Sequence, residues 1–228
     1  IAVVDAVSND DLQRLGPALK NMPLVTAGSG VAIGLPANFG LSPTPQASVL
    51  PQAQGLQAVV SGSCSQATNR QVAHFKQTGR PAFAIDPLAL ANSASKGADV
   101  VKQALQWAQP LLSSGPVLVY STAAPEAVKA VQTQLGVEAA GALVENTIAA
   151  IAKGLVDMGV QQLVVAGGET SGACVQALDI TQLQIGPQID PGVPWCHAHT
   201  SAQAIHLTLK SGNFGTDDFF TKAFQQLH

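Results

Sequence analysis

Short apolar runs alternate along this chain with amphipathic stretches of helical length. Apolar runs bounded by Gly, Pro or polar clusters predict strands, and apolar residues at spacings of three and four predict helices. The predicted strands are Ile1–Val7, Leu24–Ala27, Leu56–Val60, Pro81–Ile85, Val117–Tyr120, Gln162–Ala166, Gln182–Ile185 and Ala204–Leu209. The predicted helices are Asn9–Asn21, Val31–Leu35, Gln66–Thr78, Ala98–Leu112, Pro125–Leu135, Ala140–Met158, Ser171–Leu178 and Asp217–Leu227.

This alternation predicts an α/β fold, with a mostly parallel sheet and helices on both faces in three α/β/α layers. Residues 1–35 form a first β-α-β unit in this prediction. Residues 36–55 are rich in Pro and Gly and carry no charge, so we interpret them as a linker. Residues 56–228 then form one domain, and its ligands are expected beyond the carboxyl ends of the strands.

Composition narrows the function classes. Charged residues make up only 11% of the chain and the net charge is −3. The chain therefore lacks the excess of positive charge that binds the phosphates of nucleic acid. No uninterrupted apolar run approaches the ~20 residues of a membrane span, and the first residues lack a basic n-region followed by a long apolar core. The three cysteines, Cys64, Cys174 and Cys196, lack metal-ligand spacing and fit reduced thiols. We therefore expect a cytoplasmic protein without nucleic-acid or membrane partners.

The stretch LVVAGGETSGACV, from Leu163 to Val175, runs from a buried strand into a loop with little side-chain bulk. Gly167 and Gly168 permit close backbone approach, and the helix that follows presents free N–H groups to an anion. Thr170 and Ser171 add hydroxyls, and Glu169 could orient Mg²⁺ or a ribose hydroxyl. The alternative is an ordinary capped helix. No G-x-x-x-x-G-K-[ST] motif is present, which disfavours a P-loop enzyme.

Two further loops follow predicted strands. SGSCSQATNRQV, from Ser61, contains several hydroxyls that could hold a phosphate, although Ser65 could simply cap a helix. KSGNFGTDDFF, from Lys210, places Gly212 and Gly215 before an acidic helical turn, where Asp217 and Asp218 fit helix-dipole compensation better than metal ligation.

Three other motifs are weaker. GSGVAIG, from Gly28, has the spacing G-x-G-x-x-x-G and imitates a dinucleotide fingerprint only in part. His197 and His199 form an H-x-H motif without further recognisable ligands, so no metal-binding residue is assigned. IGPQIDPGVPW, from Ile185, is turn-rich and could close a pocket or cross a sheet edge. Asp86 precedes a Pro, where a ligand contact and a turn explain it equally well.

Taken in order, SGSCSQATNRQV, VVAGGETSGACV, IGPQIDPGVPW and LKSGNFGTDDFF resemble the C-terminal half of the four-carbon acid sugar kinases. That family includes 3-oxo-tetronate 4-kinase and the erythronate and threonate kinases. The opening segments, IAVVDAVSNDDLQRLGPAL and LVTAGSGVAIGLP, resemble the end of the family's N-terminal domain. The resemblance covers essentially the whole chain.

The resemblance implies that the chain supplies the ATP-binding part of an enzyme that phosphorylates a four-carbon sugar acid at C4, with ATP and Mg²⁺. It implies ATP contacts at a serine of the first loop (Ser63 or Ser65) and a glycine of the last loop (Gly212 or Gly215). The run between them, Gly168, Glu169, Thr170 and Ser171, would also contact ATP. The sugar-acid pocket and the catalytic base are expected in an N-terminal domain, so the catalytic residue is unknown.

Two alternatives stay open at this point. One is a nucleotide- or sugar-phosphate-binding module without catalysis, since these residues alone are expected to turn over poorly. The other is a dinucleotide oxidoreductase that uses GSGVAIG, although an acidic partner ~20 residues further on is lacking. A homodimer is also possible, because the Ala-rich helices could pack internally or against a second subunit.

Overall fold

The computed structural model of the chain describes residues 3–92, 95, 97–122, 133 and 136–227. The chain forms two compact units, Ile1–Ala47 and Ser48–His228. Each unit has its own internal packing and is described by itself. The helix predicted over 125–135 lies outside the described residues except at position 133.

The first unit is organised by helix α1, Asn9–Leu19. A capping box begins it, because Ser8 Oγ accepts a hydrogen bond from the Asp11 amide (3.3 Å) and the Asp11 carboxylate accepts one from the Ser8 amide (3.0 Å). Three 3-10 segments follow at Ser29–Gly34, Pro36–Phe39 and Pro45–Ser48. The predicted helix Asn9–Asn21 is confirmed, and the one over 31–35 is a 3-10 helix instead.

The two strands predicted in the first unit are wrong where the structure describes them. Residues 3–7 and 24–27 form no strand. A strand needs a neighbour for its N–H and C=O groups, and the described part of this unit offers none. The GSGVAIG motif therefore follows no strand, which removes the basis for a dinucleotide fingerprint. Its last glycine serves packing, since a Cβ on Gly34 would collide with the carbonyl oxygen of Leu12.

The second unit contains a seven-stranded sheet and its helices. Its strands are β1 (Leu56–Ser61), β2 (Ala82–Ala84), β3 (Val117–Tyr120), β4 (Val160–Ala166), β5 (Gln184–Asp190), β6 (Val193–His199) and β7 (Ala204–Lys210). Its described helices are α2 (Gln66–Gln77), α3 (Pro87–Ala91), α4 (Ala98–Ala108), α5 (Val137–Asp157), α6 (Gly168–Ala177) and α7 (Phe219–Gln225), with a 3-10 turn at Leu112–Ser114.

The strand order is β2-β3-β1-β4-β7-β6-β5. The five strands from β2 to β7 in this order are parallel, whereas β6 and β5 continue the sheet antiparallel. The α/β fold class with a mostly parallel sheet is thus confirmed. From β1 the chain moves toward β2, and from β4 it moves toward the antiparallel edge. The connections diverge between β1 and β4, which is the topological switch point where α/β proteins bind ligands.

The helices cover both faces of the sheet. Buried side chains of α2 and α7, including Phe75 and Phe220, pack on one face with Val59 and Val164. Buried side chains of α3 to α6, including Ile151 and Leu155, pack on the other with Val60 and Val165. This is the predicted three-layer α/β/α arrangement. The helices that follow β1 and β4 therefore lie on opposite faces.

Helix α5 is the longest described helix and is largely apolar. Residues Glu138–Asp157 are long and apolar enough, by length and composition only, to cross a membrane, with a mean hydropathy of 1.3. The same helix buries Ile148, Ile151 and Leu155 completely against the sheet and its neighbours. Its apolar character is therefore explained by its place in the core.

The motif IGPQIDPGVPW forms a β-hairpin that the sequence analysis did not predict. Strand β5 extends to Asp190, beyond the predicted end at Ile185, and turns at Gly192 (φ 78°) into β6. Trp195 is completely buried, and its Nε1–H donates to Ala223 O of α7 (2.9 Å). The short strand patterns were hidden by the three prolines and two glycines that interrupt them.

Asp190, at the end of β5, fastens the hairpin to α7. Its carboxylate accepts hydrogen bonds from Lys222 Nζ and from the Thr216 amide (2.9 Å) and hydroxyl (3.1 Å). Burial acts to raise the pKa of Asp190, but these donors outweigh it and the pKa is lowered. The carboxylate is therefore held in its ionised form.

We expect Asp190→Asn to lower the free energy of unfolding by about 1–3 kcal/mol near neutral pH, because charged hydrogen bonds are lost. The pKa of Asp190 is lower in the folded state than in the unfolded state. Its ionised form therefore stabilises the fold above the unfolded-state pKa, and this contribution is lost as the pH falls through the folded-state pKa. The difference from wild type should thus shrink below about pH 4, as measured by urea unfolding over a pH series. Asp217→Asn is the control, since Asp217 forms an exposed pair with Arg70. An equal effect of both substitutions would contradict the prediction.

Candidate active site

A cleft of about 310 Å³ lies at the carboxyl ends of the parallel strands. It spans the ends of β2, β3, β1 and β4, with the beginning of α5 along one side. It is lined by Gly62, Ser63, Cys64, Pro87, Ser121, Ala140, Gly141, Val144, Glu145, Gly167, Gly168, Glu169 and Thr170. The cleft therefore includes the switch point between β1 and β4.

Glycines allow the loops after β1 and β4 to touch at this point. The amides of Gly62 and Ser63 both donate to Ala166 O (3.0 and 3.2 Å). A Cβ on Gly62 would collide with Thr170 Oγ1. Gly167 has φ 128°, which L side chains rarely adopt, and a Cβ there would lie 3.2 Å from the Ser63 amide nitrogen. The tight contact thus depends on both positions lacking a side chain.

The amino terminus of α6 opens into the cleft. This helix begins at Gly168, three residues earlier than predicted, so Glu169 and Thr170 belong to its first turn. Ser171 points back, with its hydroxyl donating to Gly167 O (2.6 Å). A Cβ on Gly168 would meet nothing within 4 Å. The first N–H groups of a helix lack intrahelical acceptors and attract anions, and here that end is accessible to a ligand.

Two carboxylates face each other at the same end of the cleft. Glu145 of α5 is half-buried and Glu169 of α6 is exposed. The pKa of Glu145 is raised, first by burial and then by a hydrogen bond to Glu169 and the charge of that group. Paired carboxylates of this kind favour either a shared proton or a bound cation.

The loop after β7 packs against the loop after β1. Ser65 caps α2 by accepting from the Thr68 amide (3.1 Å), and its hydroxyl donates to Gly212 O. A Cβ on Gly212 would lie 2.8 Å from Ser63 Oγ. Gly215 has φ 85°, and its carbonyl accepts a hydrogen bond from Gln71 Nε2 (3.1 Å). Through these contacts the loop after β7 fixes the position of the loop after β1.

Lys210, the last residue of β7, holds this packing together. Its side chain is completely buried, and Nζ lies within hydrogen-bonding distance of Thr68 Oγ1 (3.0 Å) and of the carbonyls of Ser211 (3.1 Å), Gly212 (2.9 Å) and Phe214 (3.2 Å). No carboxylate is among these described partners. Burial lowers the pKa of Lys210 to about 8. The lysine thus anchors a loop through neutral acceptors.

The histidine and cysteine candidates lie outside the cleft, apart from Cys64. His197 and His199 share one face of β6, and His206 of β7 lies beside His197 with ring centroids 5.0 Å apart. Burial, followed by the charges of His206 and His199, lowers the pKa of His197. Among the described residues, no group of three or more His, Cys, Asp or Glu side chains could hold a metal ion.

The family described as nucleotide-binding C-terminal domain matches residues 58–220 of this chain. The chain is also 55% identical over 231 residues to a 3-oxo-tetronate kinase of Burkholderia multivorans, with all of this chain and 52% of that protein aligned. The chain belongs to the four-carbon acid sugar kinase family. It spans about half the length of the curated relatives it matches.

Solved structures are also similar to this chain. A Salmonella typhimurium LT2 protein superposes on the whole chain with a TM-score of 0.82 and 38% identity, over 53% of its own length. A Bordetella bronchiseptica protein, crystallised with citrate as a domain-swapped dimer, is 22% identical with a TM-score of 0.60, covering 98% of this chain and 52% of its own. The second likeness concerns the fold alone.

The positions that the resemblance to four-carbon acid sugar kinases assigned to ATP divide into two sets. Ser63, Gly168, Glu169 and Thr170 line the cleft. Ser65, Ser171, Gly212 and Gly215 do not line it; their contacts support the loops that do. Asp86 caps α3, with its carboxylate accepting from the Leu88 amide (2.9 Å).

Three residues of this region were not predicted from the sequence. Glu145 and Ser121 line the cleft from elements that are distant in the sequence. Lys210 was named only as the start of a loop motif. Its position could have indicated a buried lysine, because it directly follows the apolar run of a predicted buried strand. A fully buried lysine is rare and needs partners, so such a residue indicates a specific set of contacts.

We expect the stability contributed by Lys210 to rise with pH. Its folded-state pKa of about 8 lies below that of an unfolded lysine, about 10.4. Between these values the unfolded chain binds more protons, so the free energy of unfolding increases with pH. The free energy of unfolding of wild type should therefore rise relative to that of Lys210→Met from about pH 8 to about pH 10, by at most about 1.4 kcal/mol per pH unit.

Urea unfolding over this pH range is the measurement. The control is Lys102→Met, because Lys102 is exposed on α4. It should show no such pH-dependent difference from wild type. A Lys210→Met curve that stays parallel to wild type at all pH values would contradict the lowered pKa of the buried ammonium.

Proposed function

We propose that this chain supplies the ATP-binding part of a kinase that phosphorylates a four-carbon sugar acid at its C4 hydroxyl. The acid would be of the 3-oxo-tetronate, erythronate or threonate type. The observation that carries the proposal is the open amino terminus of α6 beside Gly167 and Gly168, at the switch point of the sheet. Relatives named 3-oxo-tetronate kinase, similar over the full chain, support the reaction.

In this proposal the polyphosphate of ATP binds at the β1–β4 end of the cleft. Backbone N–H groups of the first turn of α6 would hydrogen-bond to phosphate oxygens, and the exposed Gly168 would let the phosphates approach the backbone. The C4 hydroxyl oxygen attacks the γ-phosphorus, the bond to the β-γ bridging oxygen breaks, and ADP leaves. The hydroxyl proton goes to a base. Such transfer depends mainly on positioning and charge stabilisation.

Glu145 and Glu169 fit a Mg²⁺ ion that accompanies the nucleotide. Mg²⁺ prefers oxygen ligands and is commonly held by one or two carboxylates together with substrate phosphates. Both side chains line the cleft beside the amino terminus of α6, and Glu169 acts to raise the pKa of Glu145. When bound, Mg²⁺ would supply positive charge that screens the phosphates from these carboxylates and stabilises the charge on the transferred group.

The sugar-acid pocket and the base would then be supplied by the part of the protein that this chain does not span. Alone, the chain should bind nucleotide but transfer phosphate slowly. A homodimer is part of the proposal. We also propose a cytoplasmic location.

We expect Gly168→Val to weaken ATP binding by at least about tenfold, because a side chain there would occupy the space the phosphates need. Nothing within 4 Å of the new Cβ would be displaced, so folding should be retained. The measurement is isothermal titration calorimetry with ATP and Mg²⁺, alongside the melting temperature with and without ATP.

Gly172→Val is the matched control. Gly172 lies on the next turn of α6, is exposed, has open space at its Cβ and does not line the cleft. Its ATP affinity should match wild type. If Gly168→Val bound ATP as tightly as wild type, the amino terminus of α6 would not be the phosphate site.

We expect Glu145→Gln and Glu169→Gln, singly and together, to reduce the gain in ATP affinity that Mg²⁺ confers. Each substitution removes a negative ligand from the proposed cation site. Calorimetric titration with ATP at several Mg²⁺ concentrations measures this, and enhancement of water relaxation by Mn²⁺ measures the cation directly. Glu138→Gln is the control, because Glu138 is exposed on α5 and does not line the cleft. An unchanged Mg²⁺ dependence in the double variant would place the cation elsewhere.

A further inference from the structure

The cleft has a second end, away from the amino terminus of α6. Because the strand order is β2-β3-β1-β4, the residues after β2 and β3 lie opposite those after β4. Pro87 follows β2 and Ser121 follows β3, and both line the cleft. The two are held side by side, since Ala84 pairs with Tyr120 and the Ile85 amide donates to Tyr120 O (2.7 Å).

The hydroxyl of Ser121 has no partner among the residues that the structure describes. Ser121 is 3% exposed, and none of those residues forms a hydrogen bond with its Oγ. The neighbouring Thr122 differs, because its hydroxyl pairs with Ser61 Oγ (2.7 Å). A buried polar atom without a partner is costly and rare in folded proteins. A hydroxyl that is both buried and part of a cleft wall is satisfied when a ligand fills the cleft.

The walls around Ser121 are small and apolar. Pro87 lies on one side, and Ala140, Gly141 and Val144 of α5 complete the surface. A Cβ on Gly141 would find no atom closer than Glu145 Oε1, at 3.7 Å. Helix α3, which begins at Pro87, packs against α5. The described walls here are mostly apolar, with Ser121 Oγ on one side and the Glu145 carboxylate one turn along α5 from Gly141. Mostly apolar walls with a few polar groups suit a flat heteroaromatic ring whose edge accepts or donates a hydrogen bond.

We propose that the nucleotide lies along the cleft in one direction, with its purine base packed between Pro87 and α5 and hydrogen-bonded to Ser121 Oγ. Its phosphates then extend past Gly62 and Ser63 to the amino terminus of α6. This inference rests on the proposed ATP binding. It assigns the base subsite and the orientation of the nucleotide. Neither assignment follows from the similarity to the family.

The test is Ser121→Ala in the 228-residue chain, measured by calorimetry with three probes: ATP, adenosine and inorganic tripolyphosphate. Loss of one hydrogen bond should weaken ATP and adenosine by about three- to tenfold and leave tripolyphosphate unchanged. Gly168→Val should give the reverse pattern, with tripolyphosphate weakened and adenosine unchanged. The two variants thus separate the two ends of the cleft.

Thr208→Val is the matched control. Thr208 Oγ1 is also buried and has no hydrogen-bond partner in the described part of the chain, but it lies on β7 outside the cleft. Both substitutions remove an unsatisfied hydroxyl, so neither should lower the melting temperature of the free protein. Only Ser121→Ala should change nucleotide affinity, and Ser121→Thr, which keeps the hydroxyl, should bind ATP more tightly than Ser121→Ala.

The outcomes distinguish the two proposals. If wild type binds ATP and Ser121→Ala binds ATP and adenosine equally well, the base subsite is wrong and ATP binding stands. If Ser121→Ala weakens tripolyphosphate, the nucleotide lies in the opposite direction and the inference is overturned. If wild type binds none of the three probes, the proposed ATP-binding function fails, and the subsite fails with it.

Discussion

A buried ammonium group fixes the geometry on which the cleft depends. Lys210 Nζ has only neutral acceptors among its described partners, and they come from its own loop and from α2. An ammonium removed from water is expensive unless each of its protons is satisfied. The loop carbonyls and Thr68 must therefore converge on it. That convergence places Gly212 against Ser63 and Ser65, and so sets the position of the loop after β1.

The cleft also depends on small residues at the switch point. Helices α2 and α6 leave β1 and β4 toward opposite faces of the sheet, which opens a crevice between their amino termini. Gly62 and Gly167 let the two loops close the floor of this crevice. The resulting surface presents backbone amides and hydroxyls, which suit a ligand with many acceptor oxygens. The carboxylates of Glu145 and Glu169 stand above that surface.

Much of the fold could be predicted from the sequence because its central strands are continuous apolar runs. Val117–Tyr120 is found as predicted, and Leu56–Ser61 and Val160–Ala166 differ from prediction only at one end. The strands predicted near residues 4 and 25 failed because apolar composition alone does not supply a pairing neighbour. The hairpin after Gln184 was missed because Pro187, Pro191 and Gly192 interrupt its alternation, while burial of Trp195 and the bonds of Asp190 stabilise it nonetheless.

The site was predictable only in part, because a sequence shows local patterns but not which distant elements come together. Loops rich in Gly, Ser and Thr after strands are visible in a sequence, so the stretch around Gly168 was found. Ser121 and Glu145 carry no local signal, because their place in the cleft is set by strand order and by the packing of α5. Ser65 and Gly212 illustrate the opposite case, since both stand in conspicuous motifs yet serve to support the neighbouring loop.

The hydrogen bond from Ser65 to Gly212 joins residues that are 147 positions apart. Contacts of such long sequence separation form late, because the entropy of closing the intervening chain must be overcome first. During synthesis, the loop after β1 leaves the ribosome long before its support does. A ligand cannot meet a finished cleft before β7 has been made, so the order of translation itself delays completion of the cleft until β7 has joined the sheet.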